Sequence, residues 1–439
     1  MEQQNWGIIG GGIMGMTLAH RLAQEGQKVT LFEAADNFGG LASSWKIDNF
    51  IWDKFYHVIL LSDHHTKNLL KEIDLGEEIN WVETKTGFYT DGQLYSMSNT
   101  LEFLAFPPLN LIEKFRLGLT IFVASKIKNR KRLEQIPVTA WLKKWSGSRT
   151  FNKIWVPLLR AKLGDSYQQT SAAFIWTTIQ RMYAARRSGL KKEMFGYVSG
   201  GYAAIIHALE SKLKIEGVVL KTEHEAVEIK SGIDHKPIVS FSNSHAGAFD
   251  HIIVTLSSSI AASICSGLSA EEINKLKSIE YLGIICASVV LGESISPFYV
   301  TNITDTWVPF TGVIEMSALV EKKYFNRKAL IYLPKYLNQN DRLFEASDEE
   351  IKKMFLTSLK QMVPKISDSD IKFIGIARAK RVLALPMLNY SAQLPKIKTT
   401  VPGVYIINSA HITDGTLNVN ETIKIAETKL TELFNNLSI

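Results

Sequence analysis

Apolar residues open this chain in a short continuous run from Trp6 to Ile9, then recur at helical spacing from Ile13 to about Glu25. The first run is strand-length and the second reads as a helix that Gly26 closes. A further run, Lys28 to Phe32, predicts a second strand ending at Glu33 and Ala34. From Asp63 to about Lys192 the periodicity turns helical, through Leu69-Leu70, Phe103-Leu104, Phe115 to Val123 and Trp141-Leu142. Gly200-Gly201-Tyr202 leads a helix through Leu209, Val218 to Ile229 reads as two short strands, and Phe249 to Thr255 as another. Tyr281 to about Pro386 alternates as strands, including Ile284 to Leu291 and Ala329 to Pro334. Gly403 to Asn408 is a last apolar strand, and Asn418 to Glu421 begins a last helix.

The first junction carries the chemistry. Gly10, Gly12 and Gly15 lie between strand and helix, where Gly10 allows a tight turn, Gly12 lets the backbone approach a pyrophosphate and Gly15 lets the helix pack on the strand. The N–H groups of Ile13 and Met14 and the positive helix end then face the phosphates. Glu33 ends the second strand, where a carboxylate can accept both ribose hydroxyls and repels a 2′-phosphate. The pattern points to an adenine dinucleotide other than NADP.

Glu33, five residues and then Gly39-Gly40 narrow the choice. This stretch resembles the superfamily of FAD-containing amine oxidases, protoporphyrinogen oxidases and phytoene desaturases. The resemblance implies an α/β fold: a Rossmann-like FAD-binding domain of the glutathione-reductase type with a discontinuous α+β substrate domain. It places FAD along Glu33, Ala34, Gly39 and Gly40. Leu41 stands where the superfamily usually has Arg or Lys, with Ala42 after it on the same cofactor-binding stretch, so Ser43, Ser44 or backbone N–H groups must replace that phosphate contact. Phe55, Tyr56 and His57 fall where the chain returns past the flavin, Ala226 where backbone touches adenine, and Asn408 where the last strand usually ends in Gly-Asp. Asn418, Val419 and Asn420 would aim a helix N-terminus at the flavin's pyrimidine edge. On this reading residues 1–62, 196–267 and 387–439 form the FAD domain, and 63–195 and 268–386 the substrate domain.

Two departures bear on mechanism. The strand Gly283 to Leu291 lacks the lysine that many amine-oxidising members place near the flavin. No cysteine follows Cys286, so the C-terminal cysteinyl link of some relatives is absent and FAD is expected to be held non-covalently.

Composition adds limits. Hydrophobic residues make up 46% and charged residues 21%, as in globular proteins. Two cysteines imply no disulfide framework and a reducing, cytoplasmic setting. With a strand almost at its start, the chain is expected to carry no cleavable signal peptide, and no run reaches the ~20 apolar residues of a membrane span. A net charge of +7 is concentrated in part at Lys126 to Arg132, after the uncharged stretch Leu117 to Ser125. Residues 117–132 read either as a core-packed helix with a solvated basic end, the favoured reading, or as a weak peripheral membrane contact. Arg186, Arg187, Lys191 and Lys192 form a second basic group that reads as solvated. No nucleic-acid module accompanies either.

Three residues are catalytic candidates. His57, among Trp52, Phe55 and Tyr56, reads as a residue that positions substrate or exchanges a proton, or as a hydrogen-bonded structural histidine lining the cofactor channel. Tyr390 reads as an aromatic wall or a core tyrosine. Glu315, in an otherwise uncharged strand, reads as a general base if burial raises its pKa, or, the favoured reading, as a salt-bridged structural glutamate. His64-His65 reads as an N-capped helix start after Ser62-Asp63, and no spacing suggests a metal site. The expectation is an FAD-dependent oxidoreductase that removes a hydride from a C–N or C–C bond of an amine or largely apolar small molecule. The alternatives are a non-redox mutase or isomerase similar to UDP-galactopyranose mutase, and a flavin-bound binding protein.

Overall fold

A computed structural model describes residues 2–186, 193–413 and 415–437; Arg187, Lys191 and Lys192 of the second basic group lie outside them. One half of the molecule is a parallel sheet in the order Val219–Lys221, Lys28–Phe32, Asn5–Ile9, His251–Val254, Val404–Ile406. Its strands are apolar on both faces, as a sheet covered on both sides requires. Ile8, Leu31 and Ile253 look one way into a core with helix α1 (Ile13–Gln24), helix α2 (His64–Glu72) and the helices Gly201–Ile215 and Val419–Leu437. Ile9, Phe32 and Val254 look the other way, onto a three-stranded sheet (226–248) and the helix Ser258–Ile264. Leu268 and Leu276 join that second core, so the helix Ala270–Ser278 belongs to this half and the boundary expected at 267 lies further on.

The other half is built on a seven-stranded sheet in the order Ile371–Ala384, Tyr281–Leu291, Ala329–Asn338, Gly312–Glu315, Val300–Ile303, Thr86–Thr90, Gln93–Ser96. The last two strands correct the expected helical run from Asp63. Thr86 to Thr90 is β-branched and aromatic, and Asp91-Gly92 adopts positive φ at both positions, the geometry of a tight hairpin. Helices resume at α3 (Thr100–Ala105) and α4 (Leu111–Lys126) and continue with Val138–Ser146, Val156–Leu163 and Ala172–Arg186. Trp141, Leu142, Phe151, Leu163 and Phe174 pack between them. The core-packed reading of 117–125 fits Leu117, Thr120 and Ala124; Ile121 and Phe122 are exposed.

Candidate active site

The glycine turn is as tight as its sequence implies. A Cβ on Gly15 would lie 1.9 Å from the Gly10 carbonyl oxygen, so α1 packs on the strand end only without a side chain there. Gly10 has φ +109 and bonds back to Phe32 O at 2.9 Å. Gly12 is the N-cap of α1 and differs in kind: a Cβ there would meet nothing within 4 Å. The space in front of the helix is bounded by the second glycine pair. Gly39 N–H donates to Gly11 O at 2.9 Å, and a Cβ on Gly40 would lie 3.3 Å from Gly12 Cα. No side chain caps α1 and its first turn has no acid, so its leading N–H groups suit an anion.

Glu33 is held at the edge of this cradle. Its Oε2 accepts from Gly11 N–H at 2.7 Å and its Oε1 from Ala35 N–H at 2.9 Å. Each carboxylate oxygen retains lone-pair capacity for a further donor, such as a ribose hydroxyl. Ala34 is exposed beside it, Ala42 is buried, and Leu41 packs against the core under the seven-stranded sheet. His224 N–H donates to Glu33 O at 2.9 Å, which brings the segment leading to Ala226 alongside the same strand end. Adenine dinucleotide chemistry therefore fits the residues present.

The returning segment places buried polar groups where the two halves meet. Asp53 Oδ1 accepts from Tyr202 N–H at 2.9 Å, and its Oδ2 lies 3.7 Å from His57 Nδ1. Burial pushes the Asp53 carboxyl above its ordinary range, against the pull of His57. Gly201, at φ +65, makes the contact possible, since a Cβ there would sit 2.9 Å from Asp53 Oδ1. The His57 ring stacks obliquely on Tyr202 with centroids 4.8 Å apart. Phe55 packs beside Trp52 and Tyr332, whose hydroxyl donates to Asp53 O at 2.6 Å.

A second group was not legible in the sequence. The Tyr56 and Tyr336 hydroxyls are 3.0 Å apart, and Lys162 Nζ donates to Tyr336 at 2.8 Å while lying 4.0 Å over its ring. Burial pushes Tyr336 up to about 12, and Tyr56 and the neighbouring Cys286 higher. The strand Gly283 to Leu291 has no lysine, yet this side of the sheet receives one from a helix. That helix, Val156–Leu163, follows a π-helical turn at Phe151–Trp155, a local irregularity often found near functional sites. Tyr332 and Tyr336 share a face by strand alternation, a signal available beforehand; Lys162 offered none.

Other candidates settle into structural roles. Glu315 is fully buried, and burial raises its pKa, but its carboxylate accepts from Ile295 and Ser296 N–H at 3.2 and 2.9 Å. It pairs with Ile331, whose side chain enters the core on the sheet face opposite Tyr332, so the general-base reading is corrected to a structural glutamate. Tyr390 is a core tyrosine whose hydroxyl donates to Ala410 O at 2.8 Å. Tyr390 lines a narrow cleft with Phe174, Thr177, Leu383, Ser409 and Leu417. The buried Asn408 side chain donates to Leu256 O and accepts from Ala410 N–H at 2.8 and 3.1 Å. Asn418 caps the last helix, which begins at Val419, by accepting from Glu421 N–H at 3.0 Å. Asn420 Oδ1 accepts from His65 and Thr66 N–H at 3.0 and 3.3 Å, so its side chain caps α2. Asp63 itself makes no side-chain cap there; it accepts from Leu60 N–H and Arg181.

A family model described as flavin containing amine oxidoreductase matches residues 13–378. The chain belongs to that family. Among its relatives, zeta-carotene desaturase from Synechocystis sp. is 24% identical over 253 residues, 52% of this chain and 50% of that protein. The match therefore spans half the relative's length. An oxidoreductase from Methanosarcina mazei shares the fold at TM-score 0.76 and 19% identity, covering 97% of this chain and 100% of the other. Reduced UDP-galactopyranose mutase does so at TM-score 0.73 and 16% identity, over 98% and 96%. Membership implies a flavin. Among the described residues no group of His, Cys, Asp and Glu could hold a metal ion, and no helix is long and apolar enough to cross a membrane.

Proposed function

We propose that this chain is an FAD-dependent oxidoreductase that takes a hydride from a C–N or C–C bond of an amine or largely apolar small molecule, with FAD held non-covalently. The observation that carries the reading is the paired cradle: α1 ends in an uncapped N-terminus at Gly12, closed over by Gly39-Gly40, with Glu33 at its edge. Gly10 to Gly15 would hold the pyrophosphate and Glu33 the ribose. When bound, the flavin supplies the hydride acceptor.

The chain's own residues supply placement and proton control. Asp53 fixes Tyr202 and faces His57, setting the position of the segment that passes the cofactor. Lys162 donates to Tyr336, which leaves the Tyr336 proton for Tyr56, an ordered run from an ammonium through two phenols. The apolar walls around them, Ile284, Tyr332 and Cys286, exclude water.

The purified protein should be yellow, lose its colour on dithionite addition, and release FAD on acid precipitation. Anaerobic mixing with candidate amines and polyenes should reduce it. A colourless preparation that takes up no added FAD sinks the reading. Turnover that occurs only after prior reduction, with no net substrate oxidation, replaces it with the mutase class.

A further inference from the structure

Helix α4 is inside out. Among its buried residues are Glu113, Lys114 and Thr120, while Leu111, Ile112 and Phe115 are 74%, 72% and 70% exposed and Phe122 is 54% exposed. The buried polar groups are all satisfied. Glu113 closes a capping box with Asn110 and pairs with Arg149, Lys114 Nζ donates to Leu104 O at 2.6 Å, and Thr120 donates to Arg116 O at 2.7 Å. The Glu113–Arg149 pair, the Lys114 bond and the packing of Leu117 and Ala124 in the helical core fix its orientation, so the apolar stripe faces outward. Leu111, Phe115 and Phe122 recur at helical spacing along it, and Lys126 continues the same line. The bond from Lys114 also ties down α3, whose Leu101 and Leu104 are exposed at 78% and 50%.

The charge around this stripe has one sign. Lys126, Lys128, Lys131 and Arg132 are exposed at its end, and Lys143 and Lys144 are exposed on the neighbouring helix Val138–Ser146. The acids of the segment are turned away: Glu113 and Glu134 are buried, and Glu102 binds Ser96 and Ser98. A protein partner would need its own apolar face and excess acid. A bilayer bearing anionic lipid offers both at once, acyl chains below and phosphates above.

We infer that α3 and α4 seat this protein on an anionic membrane surface, with Leu111, Phe115 and Phe122 entering the acyl boundary and the Lys126–Arg132 cluster at the headgroups. The element lies in the plane of the membrane and does not cross it, since α4 has 16 residues and its inner side is packed on the protein. The inference stands independently of the reaction proposed above.

Sedimentation of the full, FAD-loaded chain with phosphatidylcholine vesicles, with and without phosphatidylglycerol, tests it. Binding should favour the phosphatidylglycerol vesicles and weaken at 0.5 M salt. The double variant Phe115→Glu, Phe122→Glu should lower the bound fraction at least about tenfold while keeping flavin content and melting temperature. Replacing Lys126, Lys128, Lys131 and Arg132 by Gln should remove the preference for anionic lipid. Absence of binding to either vesicle overturns the inference. So does equal, salt-independent binding to both, or a concentration-dependent dimer that the Phe variant abolishes without any vesicle binding.

Discussion

Helices α1 and α4 are both apolar, and the protein uses them in opposite ways. In α1 nine of twelve residues are buried, among them His20, against the parallel sheet and the helices around it. In α4 five of sixteen are buried and three of those are polar. Apolar content alone did not decide burial; the partner did. A parallel sheet covers α1 along its length, whereas α4 is held by Leu117 and Ala124 in the helical core and by bonds from Lys114 and Glu113, leaving its outer apolar side free. The first helix presents backbone donors at its end, and the second presents side chains along its flank.

The largest effect on this contrast is expected at Gly15. Its added Cβ would meet the Gly10 carbonyl at 1.9 Å, a backbone atom that cannot yield. Gly15→Ala should abolish soluble, flavin-loaded protein. Gly12→Ala tests the same helix end differently. Gly12 has φ −74 and ψ 178, which alanine adopts freely, and open space in front of it. That variant should fold with an unchanged melting temperature for the cofactor-free protein, but its ratio of flavin to protein absorbance should fall about tenfold. Normal flavin content in Gly12→Ala would mean the cradle is not where the pyrophosphate lies.

These glycines were readable because residue type, backbone conformation and ligand approach are linked within a few positions. Gly39-Gly40 and the Gly200-Gly201-Tyr202 turn were readable for the same reason. Lys162 and Tyr336 are 174 positions apart, and His65 and Asn420 are 355 apart, so no local pattern joins them. Glu315 misled because an isolated acid in an apolar strand does not disclose the two N–H groups that meet it. The strands Thr86–Thr90 and Gln93–Ser96 did carry a signal, Asp91-Gly92, which the surrounding helical periodicity masked. In α4 the period was visible in the sequence, but which side would be covered was not.

Next in size is His20, which ties α1 to its surroundings. It is fully buried, with Nδ1 2.7 Å from Glu216 and Nε2 2.8 Å from Glu72. Arg21 binds Glu72 and Glu427, and Glu427 also meets His65 at 2.6 Å. His20→Ala removes two bonds made by a fully buried ring, although Glu72 keeps Arg21 and Glu216 keeps Lys212 at 4.0 Å, and should cost about 1.5–3 kcal/mol in urea unfolding. A pH dependence accompanies it. Burial works against the Glu72 charge, but bonds from Arg21 and His20 hold its carboxyl below 4.5. A lowered carboxyl contributes stability that is present above its unfolded pKa and lost as pH falls through the folded one. Below about pH 4.5 the wild type should lose stability faster than Glu72→Gln; equal acid limbs would remove Glu72 from the network.

A smaller effect is expected where the helical half reaches across to the sheet. Tyr336→Phe keeps the ring beneath Lys162 but removes the oxygen that meets both Lys162 and Tyr56. The loss should be about 1–2 kcal/mol in the same unfolding measurement, with flavin content unchanged. A neutral result would show that water replaces the phenol, and that the chain from Lys162 to Tyr56 is not fixed by packing.

The smallest effect sharpens the contrast most. If α4 is held from beneath, its outer side chains contribute little to folding, however apolar they are. Phe115→Ser should shift stability by no more than about 0.5 kcal/mol, the range of ordinary surface substitutions. The buried Leu117, two positions on and 6% exposed, is the control. Leu117→Ala should cost about 2–5 kcal/mol, because it empties a space lined by the helical core. Comparable losses at Phe115 and Leu117 would mean that both sides of the helix are covered in solution, and that the outward stripe already has an occupant within the folded protein or a second copy of it.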